Sequence, residues 1–336
     1  MSQPGTSLRL RRIGLGLMLK QSLKARLCRW LAPWAGGRWG TVALQRLPQW
    51  IRRLPRAWRG SDYRLCEQNL RTLGHGAEQA STRAALHSAL QIQRAINQHR
   101  YDSGRVDHLR AWVRSILWRD DHGYFEQSLQ RPAMVLLTHT GEYWIAVATL
   151  VERYPAPRHF MVPIARFADA FTCASIKHLE AFGHTVDVAD VNDPAIALSM
   201  MRAIKRGATV IIFSDLPVSL GEARFGEPCD GHLFERPAQF LRGPVQIAAR
   251  LGCDVLLAGH RAQPGGRGEM HIRALIGHAS APQMMDQWAR AFEVFIQESP
   301  ENWMYLARME AFYHRQKPFE SLRPMLPRAL RKGVQP

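Results

Sequence analysis

From residue 133 onward, apolar segments of strand length alternate with longer segments that have a helical period. The strand-like segments cover residues 133–138, 159–163, 185–188, 208–213, 254–259 and 270–275. The helical segments cover residues 142–152, 168–182, 195–206, 237–251 and 284–299. Such alternation is typical of a sheet with helices on its faces. The sequence therefore predicts an α/β fold, with a mixed sheet flanked by helices.

A helical region is expected to precede this sheet. Between Asp62 and Glu126, leucine and isoleucine recur at three- and four-residue steps, interrupted at Gly74-His75-Gly76. The stretch from Pro217 to Pro237 has little period and several glycines and prolines, which predicts a long loop. The expected organisation is a basic, Trp-rich membrane-interfacial segment (1–60), a helical cap region (61–130), an α/β domain (131–317) and a basic tail (318–336).

A histidine follows the first predicted strand of the α/β region. Met134–Leu137 is a short apolar run, His139 follows it, and Ile145–Val151 is apolar over a helical length. Strand ends beside helix N-termini are frequent ligand sites in α/β sheets. A histidine there is a candidate general base because its unperturbed pKa is roughly 6.5. Glu142 would fix its tautomer if the turn is tight; alternatively, Thr-x-Gly-Glu simply marks a helix start.

These residues resemble a motif of the lipid A late acyltransferases, the lauroyl and myristoyl transferases of the glycerolipid acyltransferase superfamily. Its signature is a histidine, four residues and then Asp or Glu, usually His-x-Gly-Asn-Trp-Glu. His139 and Gly141 match it, the carboxylate position falls on Trp144, and the nearby acid is Glu142. Four further segments in the same order are similar to family blocks: 162–169 with Arg166, 209–226 with Asp215 and Arg224, 243–255, and 298–308.

The resemblance implies a glycerolipid-acyltransferase-like fold and transfer of a fatty acyl group from a thioester to a hydroxyl or amine of a lipid or glycolipid. The thioester donor would be carried by acyl carrier protein or coenzyme A. His139 would act as general base with Glu142 as its partner, and no cofactor or metal is implied. The residues expected to contact substrate are Gly141, Arg166, Asp215, Arg224 and Arg242.

The formal net charge of +17 indicates an anionic partner. In the first sixty residues, arginine and lysine alternate with apolar residues and five tryptophans, which favours a segment lying in the interface of an anionic membrane. The alternative is a helical hairpin packed on the catalytic domain with solvated cations. Ile13–Leu19 is shorter than the roughly twenty residues that span a bilayer. We expect a peripheral protein on the cytoplasmic face of the inner membrane.

Two other functional classes stay open. A family member that had lost its carboxylate would bind acyl chains or act as a scaffold at the membrane. A nucleic-acid-binding protein is supported by charge alone, since no reader motif is present, and we expect no nucleic-acid partner. The five cysteines are dispersed and odd in number, which predicts unpaired thiols, and no Cys-x-x-Cys pair suggests a metal site.

Overall fold

A seven-stranded sheet lies at the centre of the chain, in a computed structural model that describes residues 26–103, 105–164, 175–220 and 223–317. Its strands are β1 (Leu117–Arg119), β2 (Ala133–Leu137), β3 (His159–Ile164), β4 (Thr185–Asp190), β5 (Thr209–Phe213), β10 (Asp254–Arg261) and β11 (Glu269–Ile276). Their order across the sheet is β1-β11-β10-β2-β5-β3-β4. The five strands from β10 to β4 are parallel, β11 is antiparallel to β10, and β1 is parallel to β11. The sheet is therefore mixed, as predicted, and most of its strands are parallel.

Helices cover both faces of this sheet. After a first helix, α1, described from residue 26 to 35, the helices are α2 (Arg38–Arg53), α3 (Gly60–Thr72), α4 (Ala77–Ser103), α5 (Val106–Arg114), α6 (Tyr124–Ser128), α7 (Tyr143–Arg153), α8 (Ile196–Lys205), α9 (Gly243–Leu251) and α10 (Ala281–Glu298). Short 3-10 turns lie at Arg56–Trp58, His178–Phe182, Pro300–Asn302 and Leu306–Phe312. The helical N-terminal region and its break near Gly74 are confirmed.

Burial on both faces explains why the central strands are continuously apolar. Within β2, Met134 and Leu136 pack into one core cluster, and Val135 and Leu137 pack into the cluster on the opposite face. All five residues of β2 are buried. A strand covered by helices on both faces has no solvent side, so its sequence shows no polar alternation.

The segment predicted as a long loop from Pro217 to Pro237 instead contains short strands, so that prediction is wrong. It forms β6 (Ser219–Leu220) with β7 (Ala223–Arg224), and β8 (Pro228–Leu233), which pairs with β9 (Arg236–Leu241). Phe234 and Glu235 make the β8–β9 turn with φ of 51° and 61°. Tight hairpin turns with such backbone angles usually carry Asn or Gly. The β8–β9 turn contains neither residue. It is stabilised by a hydrogen bond of 2.6 Å from the Phe234 N–H to the Glu293 carboxylate.

One helix boundary and one short strand also differ from prediction. The helix expected over 237–251 begins only at Gly243, because residues 237–241 belong to β9 and their apolar run continues into the helix without a break. The strand Leu117–Arg119 was not predicted; three residues are too few to show a period. Residues 264–268 lie in the hairpin turn between β10 and β11.

Among the described residues, none of the helices combines the length and apolarity that crossing a membrane requires. The four cysteines within the described part of the chain form no disulfide. Cys173, Ile13–Leu19 and the predicted basic tail lie outside it.

Candidate active site

His139 and Asp215 form a hydrogen-bonded pair at the carboxyl edge of the parallel strands. His139 Nδ1 lies 2.7 Å from Asp215 Oδ1, and the His139 backbone N–H donates to Asp215 Oδ2 at 2.8 Å. Asp215 has no exposed surface, whereas the His139 side chain is 13% exposed. The pair therefore joins a buried carboxylate to an imidazole that retains access to solvent.

Strand register explains why two residues 76 positions apart meet. Leu137 at the end of β2 pairs with Phe213 at the end of β5, and the two strands are parallel. His139 and Asp215 each follow their strand end by two residues. Since carboxyl ends of parallel strands share one edge of the sheet, equal offsets from paired residues bring the two side chains together.

The Asp215 carboxylate accepts hydrogen bonds from three donors. Besides the two from His139, the indole N–H of Trp303 donates to Oδ2 at 3.1 Å. Trp303 is fully buried. With Nδ1–H directed at Asp215, the neutral imidazole carries its lone pair on Nε2. In the described part of the chain, Nε2 has no hydrogen-bond partner, so it can accept a proton from a substrate.

Aromatic rings surround the imidazole. The Phe213 ring stacks on it with centroids 4.4 Å apart, and the rings of Tyr143 and Tyr305 approach edge-on at 5.0 and 5.4 Å. Burial raises the pKa of both tyrosines, so their hydroxyls stay protonated near neutral pH. These walls limit water around the base and present apolar surface to a substrate.

Glu142 does not contact the imidazole as the sequence suggested, and this expectation is corrected. Its Oε1 accepts hydrogen bonds from Gln93 at 2.9 Å and Asn97 at 2.5 Å, both on α4. Burial raises the pKa of Glu142, while these two donors and nearby Arg94 act in the opposite direction. The Glu142 carboxylate therefore joins the turn at residues 139–142 to the N-terminal helices, and the carboxylate at the imidazole is that of Asp215.

Arg94 attaches the same helix to the turn. Its Nε donates to the Gly141 carbonyl at 2.6 Å and its Nη2 to the Asn302 carbonyl at 3.4 Å. The guanidinium lies 5.2 Å from the centroid of the Tyr143 ring. Burial lowers the pKa of Arg94, and the nearby side chains of Tyr143, Glu142 and Asp215 raise it.

The segment around Trp303 holds the turn from the other side. The Met304 N–H donates to the His139 carbonyl at 2.9 Å, and the Gly141 N–H donates to the Asn302 carbonyl at 2.9 Å. Thr140 and Trp303 form an isolated antiparallel bridge. The sequence block at 298–308 is therefore positioned to fix the backbone on which His139 lies.

His260 occupies the equivalent position on the next strand. Ala258 of β10 pairs with Leu137, and His260 follows Ala258 by two residues. Its Nδ1 accepts a hydrogen bond from the Glu142 backbone N–H at 3.0 Å. Burial, with added repulsion from His271 and Arg94, lowers the pKa of His260 to about 3, so the ring is neutral. The ring therefore supports the turn.

Gly141 occupies a place that no other residue fits. Its φ is +53°, and an added Cβ would lie 2.5 Å from both Nδ1 and the carbonyl oxygen of His260. We expect Gly141→Ala to lower the free energy of unfolding by about 3 kcal/mol or more, through left-handed strain and the clash together. Urea denaturation measures this loss.

Gly207→Ala is the matched control for Gly141→Ala. Gly207 has φ of +86° with nothing within 4 Å of an added Cβ. In the control variant, the free energy of unfolding should fall only by the cost of the left-handed backbone conformation, about 1–2 kcal/mol. Equal losses for the two variants would contradict the steric argument.

Two of the remaining predicted substrate residues, Arg224 and Arg242, do not hydrogen-bond to the His139–Asp215 pair. Arg224 donates to the Gly226 carbonyl at 3.2 Å and lies 3.7 Å from Glu227. Arg242 is exposed at the N-terminus of α9. Arg166 lies outside the described residues. No group of three or more His, Cys, Asp and Glu side chains within the described ranges is arranged to hold a metal ion.

Sequence reasoning missed the parts of the site that come from distant segments. Trp303 lay in a recognised block without a role, and Arg94, Gln93 and Asn97 lay in a helix assigned only as a cap. The available signal for Asp215 as the partner of His139 was the equal offset of both residues from the ends of buried strands. No protein-family model matches the chain, and a search of curated proteins finds no significant match.

Proposed function

We propose that this protein is a membrane-peripheral acyltransferase in which His139 is the general base and Asp215 its partner. The observation that carries the proposal is the hydrogen bond between Nδ1 and a buried carboxylate, which leaves Nε2 available at a partly exposed position. The proposed reaction moves a fatty acyl group from a thioester to a hydroxyl or amine of a lipid or glycolipid. The resemblance of the segments from His139 to Arg308 to the late acyltransferases supports this choice of reaction.

The proposed chemistry needs one proton shuttle and no covalent enzyme intermediate. His139 Nε2 takes the proton of the acceptor hydroxyl or amine as that group attacks the thioester carbonyl. Collapse of the tetrahedral intermediate breaks the carbon–sulfur bond, and the imidazolium returns its proton to the departing thiolate. Asp215 stabilises the transient imidazolium and holds the ring in the required tautomer.

The alternative function, a binding or scaffold protein, was considered because the motif has no acid at position 144. Asp215 supplies a carboxylate to the imidazole from another strand, which removes that reason. For the donor, the net positive charge favours the acidic acyl carrier protein over coenzyme A. Arg166, Arg224 and Arg242 remain proposed contacts for donor or acceptor phosphates, and the proposed location is the cytoplasmic face of the inner membrane.

Mass spectrometry of total lipid and lipopolysaccharide extracts tests the function. Cells carrying the wild-type protein should contain an acylated species that disappears on deletion and with His139→Ala. His122→Ala, which changes an exposed histidine outside the site, should retain it. If deletion removes a species that His139→Ala preserves, the protein acts without this base and the scaffold function replaces the proposal.

A further inference from the structure

Exposed large apolar side chains are concentrated in the N-terminal helices. Of the twelve such side chains among the described residues, eight lie between residues 27 and 58. Five are tryptophans with exposed fractions between 52 and 84%, whereas the five later tryptophans of the chain are buried or half-buried. We call this set the Trp-rich surface: Leu27, Trp30, Trp34, Trp39, Val42, Trp50, Leu54 and Trp58. A concentration of this kind marks an interaction site, unlike scattered exposed residues.

The side chains follow the helical period, so they form continuous stripes. On α1 the exposed large apolar side chains are at positions 27, 30 and 34, and small residues at 28, 32 and 35 are buried against the protein. On α2 one exposed stripe contains Trp39, Val42, Arg46, Trp50 and Arg53 at steps of three and four. The buried residues of α2 are Leu44 and Ile51, on the opposite side of the helix.

Charge in this part of the chain has a single sign. Thirteen of the 45 basic residues and none of the 28 acidic residues lie in the first 61 positions. That segment therefore carries a formal +13 of the net +17, and the first acid of the chain is Asp62. A segment of this charge attracts anionic partners.

We propose that the Trp-rich surface lies in the interface of an anionic phospholipid bilayer, without crossing it. The indoles would sit at headgroup depth while Arg46 and Arg53 reach lipid phosphate. A lipid surface fits better than an acidic protein because the arginines lie within the apolar stripe. The centre of a protein–protein interface is depleted in charge, with charged residues at its rim.

Two helices connect the Trp-rich surface to the turn at residues 139–142. Leu44 of α2 packs with Ile96 of α4, and α4 carries Gln93, Arg94 and Asn97, which bind the turn. Helices α2 and α4 would then connect the bilayer surface to that turn. The inference that a membrane-bound acceptor reaches His139 depends on the proposed function. The inference that this surface binds lipid does not.

Vesicle flotation of the full-length protein tests the proposal. It should float with vesicles of phosphatidylcholine and phosphatidylglycerol, bind phosphatidylcholine alone much more weakly, and be released by high salt. Tryptophan emission should shift to shorter wavelength on binding and be quenched by lipids brominated near the headgroup. Absence of flotation with the anionic vesicles, or binding without any change in emission, would overturn the proposal.

Paired variants separate the apolar and charge contributions. Trp39→Ala with Trp50→Ala should weaken the partition coefficient roughly tenfold or more, from the apolar area that no longer inserts. Arg46→Gln with Arg53→Gln should weaken it about fivefold per arginine on anionic vesicles, with little change on phosphatidylcholine. All four side chains are exposed, so the variants should melt at the wild-type temperature.

Matched control variants remove the same kinds of side chain from outside the Trp-rich surface. Leu198→Ala with Val294→Ala removes two other exposed apolar side chains, and Arg105→Gln with Arg290→Gln removes two other exposed charges. Both pairs should bind like the wild type, and so should the catalytically inactive His139→Ala. If the control pairs weaken binding as much as the test pairs, bulk charge or hydrophobicity is responsible and the assignment to this surface is wrong.

Discussion

Asp215→Asn should reduce kcat for acyl transfer by about 10³- to 10⁴-fold, close to the loss caused by His139→Ala. The carboxylate accepts three hydrogen bonds, two from His139 and one from Trp303. An amide at this position places an N–H group opposite one of these donors. The imidazole must then rotate or carry its proton on Nε2, where it no longer accepts a proton from the substrate. Steady-state kinetics with acyl-thioester and lipid acceptor measures the effect.

Glu142→Gln is the discriminating control for Asp215→Asn. Its side-chain oxygen can still accept from Gln93 and Asn97, so we expect kcat within about tenfold of wild type. The double variant His139→Ala/Asp215→Asn should be no slower than His139→Ala alone, because residues that act as a unit are not additive. A large loss in Glu142→Gln with little loss in Asp215→Asn would reverse the assignment.

The α/β class was predictable because the periodic signal comes from residues that stay together in the chain. Buried strands such as β2 and β5 are short apolar runs, and each is complete within a local window. The β8–β9 hairpin was not predicted because its turn residues, Phe234 and Glu235, are not typical turn residues. The turn is stabilised by a tertiary contact, the hydrogen bond from the Phe234 N–H to Glu293. Local preference therefore identified the sheet and missed the element whose turn depends on a distant helix.

The site was predictable only in part, for a related reason. His139 was identified from its position after a strand, but its partner was sought within the same turn, at Glu142. Asp215 follows the neighbouring strand, β5, and only the register of Leu137 with Phe213 brings it beside His139. Trp303 reaches the carboxylate from a segment 88 residues further on. Such contacts depend on strand order, which periodicity does not specify.

Acid should destabilise this fold through two fully buried histidines. Burial lowers the pKa of His260 to about 3 and that of His87 to about 4. The His87 Nδ1–H donates to the Glu301 carbonyl at 3.0 Å, so each ring is held neutral by its surroundings. In the unfolded chain both rings bind a proton below roughly pH 6.5.

The sign of the effect follows from proton binding. Between roughly pH 6.5 and pH 4 the unfolded state binds more protons at these positions, so the free energy of unfolding falls as the pH falls. Each buried histidine contributes about 1.4 kcal/mol per pH unit within its window, or about 3 kcal/mol on going to pH 4. Urea denaturation at a series of pH values measures the slope.

His260→Gln isolates one of these contributions. The Gln oxygen can still accept from the Glu142 N–H, so the variant should remain folded at pH 7 and lose about 1.4 kcal/mol per pH unit from the slope below roughly pH 6. His122→Gln, at an exposed position, should keep the wild-type slope. An unchanged slope in His260→Gln would mean that the ring is already protonated, or solvated, in the folded protein.

Glu142 should affect the pH dependence of the free energy of unfolding in the opposite direction from the two histidines. Because burial raises its pKa, the folded state retains a proton there above roughly pH 4.5 that the unfolded state releases. This difference opposes the histidines, so Glu142→Gln should steepen the loss of stability with acid while leaving catalysis nearly intact. A residue that changes the pH dependence of folding and hardly changes kcat holds the turn in place, whereas Asp215→Asn should lower kcat strongly.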